Sequence, residues 1–428
     1  MTCVHPPFRR RPRAAAVGLA VTVMVTAFGG TAFASTSGPD ARHHGGYHPP
    51  APRISSSDRR LIAASTITWK DLAGFGWAKT AVKYVAGAHD YMADYAPNTD
   101  GSYDFHPAAL ESKIRFARAM VRAFSPDGVV DPSITFSDID TGTPAYRFAN
   151  IAVQHGWLTT AGSAFGPTNH VTTIMVHRAL ALALGLQTSA TALDNLHTSD
   201  GHVFTTPADF GTTLLGMRLG LRYNAWGDES KDVGPTSNLS RAQVAYSLWR
   251  AKTEPPHAVA HLAAEYDTIE LPPLSPQVTR VVQFGIQYVG YPYIWAGEWG
   301  KSSPEPQALG GQPIPGFDCS GFSWWLLRAG DPSIGWRVSP PRPYGGWPLA
   351  QRWSFDMATI GHVRWNQLQP GNLAFYHEGP GIHHVDTYIG NGWALDSSAG
   401  VSGVTIMWVG TGWYRNHFVH GRRIIPAQ

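Results

Sequence analysis

Cysteine is nearly absent from this 428-residue chain, which has only Cys3 and Cys319. Cys3 falls in a stretch that reads as a leader, so the exported chain keeps one thiol. A single thiol excludes an intramolecular structural disulfide. It leaves three readings: a buried inert thiol, an intermolecular bridge, or a reactive nucleophile. An excess of positive charge is also missing. The formal net charge of +3 includes Arg9, Arg10, Arg11 and Arg13, and positions 1–34 hold no acidic residue. The remainder carries 29 Lys+Arg against 30 Asp+Glu, and no basic stripe marks a nucleic-acid surface. The apolar run 14–28 is short for a bilayer span, so no stable membrane insertion is expected once the leader is cleaved. Metal-ligand spacing is lacking as well. His417 and His420 stand three apart with no third ligand and no zincin signature, so no metal or other cofactor is expected.

What is present begins with that leader. A basic n-region, the apolar run and the small-x-small site Ala32-Phe33-Ala34 predict cleavage after Ala34 and ordinary secretion. Residues 35–60 are rich in Ser, Pro, His and Gly and read as a flexible spacer. Residues 253–276 carry Pro255-Pro256 and Pro272-Pro273 and read as a linker, with a short helix near 259–266. Two separable folded blocks remain, 61–252 and 277–428. The chain is too long for one small core.

The first block contains a repeat. Phe105-His106-Pro107, Phe165-Gly166-Pro167 and Val233-Gly234-Pro235 share a pattern. Five residues after each proline stands a hydroxyl residue: Ser112, Thr172 and Ser240. Helix-like runs follow over 114–124, 174–184 and 242–250. The hydroxyl residue is placed as an N-cap, accepting from a backbone N–H that the helix leaves free. Upstream, Trp69-Lys70-Asp71-Leu72 and Phe136-Ser137-Asp138-Ile139 occupy matching places, each followed by a helix-like stretch, 77–86 and 146–155. Equal spacing in three copies indicates helix–loop–helix units that bury their apolar faces on one another.

This spacing resembles S-layer homology repeats. Leu239-Ser240-Arg241-Ala242-Gln243 is similar to that family's Thr-Arg-Ala-Glu signature. The first copy has Ser112-Lys113 at the same place, and the second has Thr172-Thr173. The resemblance implies an all-α wall-binding unit. It makes Lys113 and Arg241 the candidates for an anionic cell-wall polysaccharide, and leaves the Thr173 copy without its pocket.

The second block carries the chemistry. A helix-like stretch, 278–289, leads into Gly290-Tyr291-Pro292-Tyr293-Ile294-Trp295. A Gly/Pro-rich loop and Phe317-Asp318-Cys319-Ser320-Gly321 follow. Gly316 and Asp318 suit a turn and 321–327 suits a helix, which sets Cys319 at a helix N-terminus. The positive end of a helix favours the thiolate, the nucleophilic form. A base is available at His383-His384, on a predicted strand that ends in an Asn391-Gly392 hairpin turn. Strand alternation lets only one of the two histidines face the thiol. Asp396, on the returning strand, is placed to hold the far imidazole nitrogen. Eleven of the 16 Trp lie after residue 277 and read mostly as aromatic core.

In their order these motifs resemble the NlpC-type, papain-like cell-wall peptidases. The resemblance implies an α+β domain with an antiparallel sheet, with Cys319 as nucleophile, His384 as base and Asp396 as the third polar residue. It places Tyr293 near the oxyanion and Asp318 and Ser320 where the amino end of a peptide stem is held. The implied substrate is the peptidoglycan stem peptide, cut without a metal. Two positions depart from the family pattern: Asn372 replaces its usual aspartate, and Asp386 replaces a small residue two after the histidine. Two other readings stay open at this level: a non-catalytic wall-binding protein with a decayed peptidase fold, and a thiol amidase or acyl transferase.

Overall fold

The computed structural model describes residues 54–65, 67–225, 228–299, 312, 314–328, 347, 349, 353–377, 379 and 381–426. The leader 1–34, Cys3, most of the expected spacer and most of the loop 298–315 lie outside the described residues.

From Ser56 to Tyr266 every named element is a helix. They are α1 (Ser56–Ala64), α2 (Lys79–Val82), α3 (Lys113–Phe124), α4 (Pro144–Gln154), α5 (Thr173–Ala183), α6 (Gln187–Asp194), α7 (Phe210–Arg218), α8 (Arg241–Thr253) and α9 (Pro256–Tyr266). The three hydroxyl residues are N-caps. Ser112, Thr172 and Ser240 accept from the backbone N–H of Arg115, Met175 and Gln243. Each such cap stabilises its helix by about 1 kcal/mol. Behind the caps, the apolar faces of α3, α5 and α8 are buried through Phe116 and Met120, Val176 and Leu180, and Val244 and Leu248.

The loops ahead of these three helices close a ring. Glu111 N donates to Leu239 O at 2.9 Å, Leu239 N to Val171 O at 2.9 Å, and Val171 N to Glu111 O at 3.0 Å. A second cycle joins Lys113 N to Asn169 O, Thr173 N to Ser237 O, and Arg241 N to Ala109 O, at 2.7, 3.1 and 2.8 Å. Backbone donors that helix starts leave orphaned are thereby satisfied by the neighbouring copy. The matched aspartates act alike. Asp71 accepts from the N–H groups of Phe105 and His106, and Asp138 from those of Phe165 and Gly166.

Two boundaries are corrected. The spacer does not extend to residue 60, because α1 begins at Ser56 behind the cap Ser55. The segment 253–276 is not a loose linker. Its helix α9 carries Tyr266, which is fully buried, accepts from Arg218 and donates to Ile406 O, both at 2.6 Å. The first proline pair, which suggests flexibility, instead starts α9, with Pro255 as its N-cap and Pro256 in its first turn.

The second block holds α10 (Pro276–Gly285), β1 (Glu298–Trp299), β2 (Gly316–Phe317), α11 (Cys319–Leu327), α12 (Ser354–Met357), β3 (Asn372–His377), β4 (Ile382–Gly390), β5 (Trp393–Ser398), β6 (Gly403–Trp408), α13 (Gly412–His417) and β7 (Phe418–Arg423). Five strands form one antiparallel sheet in the order β6-β5-β4-β3-β7. Alternation gives the sheet two distinct faces. Leu373, Phe375, Val385, Ile389, Leu395 and Ile406 join the main core with α10 and α11. Ala374, Tyr376, Ala394 and Met407 form a second cluster with Tyr414 of α13. Asn391 and Gly392 have φ of 50° and 83°, the left-handed pair that a two-residue hairpin turn requires. The turn fixes Thr387 opposite Leu395 and Tyr388 opposite Ala394.

Candidate active site

β2 delivers the chain to Asp318, the N-cap of α11. Asp318 Oδ1 accepts from Gly321 N at 2.5 Å and from Ser320 Oγ at 3.0 Å. The cap makes Cys319 the first helical residue, 7% exposed. The aligned peptide dipoles of that first turn create a positive potential around the sulfur.

β4 supplies the base. His384 is buried and its Nε2 lies 2.9 Å from Asp396 Oδ1 on β5. The thiol of Cys319 is within hydrogen-bonding reach of the His384 ring, and its sulfur is 4.0 Å from the backbone oxygen of His383. Burial pulls the His384 pKa down. The charge and hydrogen bond of Asp396, joined by Cys319, outweigh it and hold the pKa well above the ordinary histidine value. The imidazolium is therefore favoured beside the thiol. Asp396 is fixed in turn: its Oδ2 accepts from Tyr414 Oη at 2.7 Å.

Asp386, on the same strand as His384, is engaged by a tyrosine. Its Oδ2 accepts from Tyr376 Oη at 2.7 Å. Burial, reinforced by the Asp396 charge, raises its pKa well above the carboxylate range. Tyr376 and Tyr414 pack edge to face, with ring centroids 5.2 Å apart. Two tyrosine–carboxylate pairs thus stand side by side behind the imidazole.

Of the expected residues, Cys319, His384 and Asp396 come together, and Asp318 and Ser320 flank the sulfur. Tyr293 runs beside Phe317 as a bridge partner, and its N–H donates to Ser402 O at 3.0 Å. Lys113 and Arg241 are a different matter. They are 4% and 1% exposed, so the expectation of free charges for a polysaccharide is corrected. Lys113 Nζ donates to the carbonyls of Thr159 and Phe165 at 2.6 and 2.5 Å. Arg241 pairs with Glu111 and Asp94, each at 2.8 Å, and donates to Phe105 O at 2.9 Å. The first helical residue points into the ring, where the Phe-x-Pro loop of the next copy needs a donor. Thr173 is too short for that. The matching carbonyl, Val233 O, accepts instead from Arg222 at 3.0 Å.

Sequence reasoning missed Tyr414, Tyr376 and Ser397, whose Oγ donates to Phe317 O at 2.9 Å. Tyr376 faces Asp386 by cross-strand neighbourhood, a relation that the register alone could have disclosed. Tyr414 sits on a short helix with no spacing that ties it to Asp396.

Known proteins resemble part of this chain. A gamma-D-glutamyl-L-lysine dipeptidyl-peptidase of Bacillus cereus is 28% identical over 36% of this chain and 38% of its own length. The peptidoglycan endopeptidase RipB of Mycobacterium tuberculosis is 32% identical over 30% of this chain and 46% of its own. The chain thus spans less than half the length of these curated relatives. A solved structure of an NlpC/P60 family protein from Bacillus cereus is 25% identical, with a TM-score of 0.27, over 37% of this chain and 42% of that one. Residues 290–423, the part that holds Cys319, His384 and Asp396, match the NlpC/P60 family.

Proposed function

We propose that this chain is a secreted peptidoglycan hydrolase that cuts stem peptides by a cysteine mechanism and is held at the cell wall by residues 61–252. The observation that carries the reading is the thiol at the start of α11 facing an imidazole whose far nitrogen is 2.9 Å from a buried carboxylate. The family match of residues 290–423 and the peptidoglycan endopeptidase among the relatives supply the substrate class.

The Cys319 thiolate attacks the carbonyl carbon of a stem-peptide amide and forms the C–S bond. The carbonyl oxygen takes the negative charge and is stabilised by the N–H groups of the α11 first turn, with Tyr293 beside it. As the C–N bond breaks, imidazolium His384 gives its proton to the leaving amine. The neutral ring then takes a proton from water, which attacks the thioester and releases the thiolate. Asp396, held by Tyr414, keeps His384 oriented through both steps. Asp318 and Ser320 are proposed to bind the amino end of the stem.

Wall attachment rests on the resemblance of the three-copy unit to S-layer homology repeats. Lys113 and Arg241 are engaged internally, so contact falls to groups outside the ring. A cavity of about 260 Å³ opens beside Asp94, lined by Trp69, Tyr95 and Tyr103.

Digestion of purified peptidoglycan with mass analysis of the products tests the reading. New free amino and carboxyl ends in a stem peptide are expected, and none with Cys319→Ala. Products joined to an added amine would show acyl transfer instead, and intact stems would end the enzyme reading. Co-sedimentation of the Cys319→Ala chain with walls, compared with Trp69→Ala/Tyr95→Ala, tests the attachment.

A further inference from the structure

The second copy of the repeat has Thr173 where the others have a cation, and the arginine that serves Val233 O in its place reaches beyond the ring. Arg222 is 4% exposed. Besides Val233 O, it donates to Gly290 O at 2.6 Å and to Ser402 O. Both carbonyls belong to the peptidase block. Ser402 O also accepts from Tyr293 N, so one guanidinium holds Gly290 directly and Tyr293 through Ser402. Further along the same connection between α7 and α8, Glu229 makes a second contact: its Oε1 accepts from Trp295 N at 2.8 Å. Gly290 shows how close the two blocks approach. Its φ is +93°, and a Cβ there would stand 2.7 Å from Thr213 of α7, so only glycine fits.

From this anchored stretch, backbone hydrogen bonds lead to the nucleophile. Ile294 N donates to Phe317 O, Phe317 N to Pro292 O, and Asp318 N to Gly297 O, at 3.0, 3.1 and 3.1 Å. Phe317 O also accepts from Ser397, the residue after Asp396. Residues 290–297 are therefore bonded on one side to the helical block and on the other to the residues that end at Cys319.

We infer that residues 290–297 are a splint through which Arg222 and Glu229 of the helical block set the position of Cys319. The helical block is then a positioning element of the peptidase as well as a tether. Neither Arg222 nor Glu229 touches the reacting atoms; both act through the splint. The inference rests on the proposed cysteine chemistry, and its test does not need the substrate.

The test compares full-length wild type, Glu229→Ala, Glu229→Gln and Arg222→Lys. The rate of Cys319 alkylation by iodoacetamide and the melting temperature are measured for each. Glutamine keeps a carbonyl that can accept from Trp295 N–H; alanine does not. Lysine keeps the charge of Arg222 but cannot fork between two carbonyls. Glu229→Ala and Arg222→Lys are expected to slow alkylation about tenfold, as a displaced nucleophile would, with Glu229→Gln near wild type. Wild-type rates in both Glu229→Ala and Arg222→Lys overturn the splint. Equal slowing in Glu229→Gln and Glu229→Ala also overturns it, because the charge of Glu229, and not its hydrogen bond, would then be the cause. If Glu229→Ala melts far below wild type, the Arg222→Lys rate decides. Muropeptide release by wild type is scored separately: its absence with a His384-dependent alkylation rate removes the peptidase reading and leaves the splint comparison standing.

Discussion

His177 in α5 and His384 in β4 are buried to the same depth, each 1% exposed. Their surroundings send them in opposite directions. At His177 burial, helped by the nearby charge of Arg222, pushes the pKa down to about 3. At His384 the same desolvation is outweighed by Asp396 and Cys319, and the pKa stands well above the ordinary value. One ring is a neutral filler of the helical core. The other is a charged acid waiting beside a thiol. The difference lies in one carboxylate 2.9 Å away and not in burial, which both share.

The sharpest way to break this contrast is at the thiol. Cys319→Ala and His384→Ala are each expected to lower stem-peptide cleavage by a factor of about 10³ or more, with the melting temperature of Cys319→Ala close to wild type. Product release at wild-type rate by either variant ends the cysteine mechanism. In the helical block, buried charge serves stability instead. Arg241→Ala leaves Glu111 without its salt-bridge partner and Asp94 with Arg115 alone, and is expected to cost about 3–5 kcal/mol in denaturant unfolding. Cleavage per folded molecule stays unchanged as long as the splint is intact.

His177 itself gives a pH test. Its folded pKa lies below the unfolded value of about 6.5. Its contribution is therefore complete above that value and lost as pH falls toward 3. By pH 4 the loss is about 3 kcal/mol. His177→Leu should flatten this acid limb in a series of melting curves; an unchanged limb assigns it to other groups. Smaller effects separate the residues around the base. Asp396→Ala is expected to cost about 10–100-fold in cleavage, since the ring loses its orientation and its charged partner. His383→Ala should stay within about threefold. A dead His383→Ala with an active His384→Ala would mean that the strand register is wrong by one residue.

Much of the site was legible because local chemistry constrains it. Asp318 suited a turn ahead of a helix, Asn391-Gly392 had to turn, and alternation let only one of His383 and His384 face the thiol. The hydroxyl spacing of Ser112, Thr172 and Ser240 located three helix starts for the same reason. What stayed hidden was tertiary. A basic residue in a signature looks like a binding charge until the loop of the next copy is seen beneath it, as at Lys113 and Arg241. Proline pairs near 255 and 272 read as a linker, whereas Tyr266 between them is part of the core. Arg222 and Glu229 carried no pattern, because their partners are main-chain groups of a distant segment.

The ring of loops has a consequence for how the chain acquires its structure. Its bonds run from the first copy to the second, from the second to the third, and from the third back to the first. Ala109 O waits for Arg241 N, so the first copy has no complete partner set until the third has been made. A linear solenoid can add one repeat at a time; a closed cycle cannot. The helical block should therefore fold in a single cooperative step that begins late in synthesis. Until then the chain is without its ring.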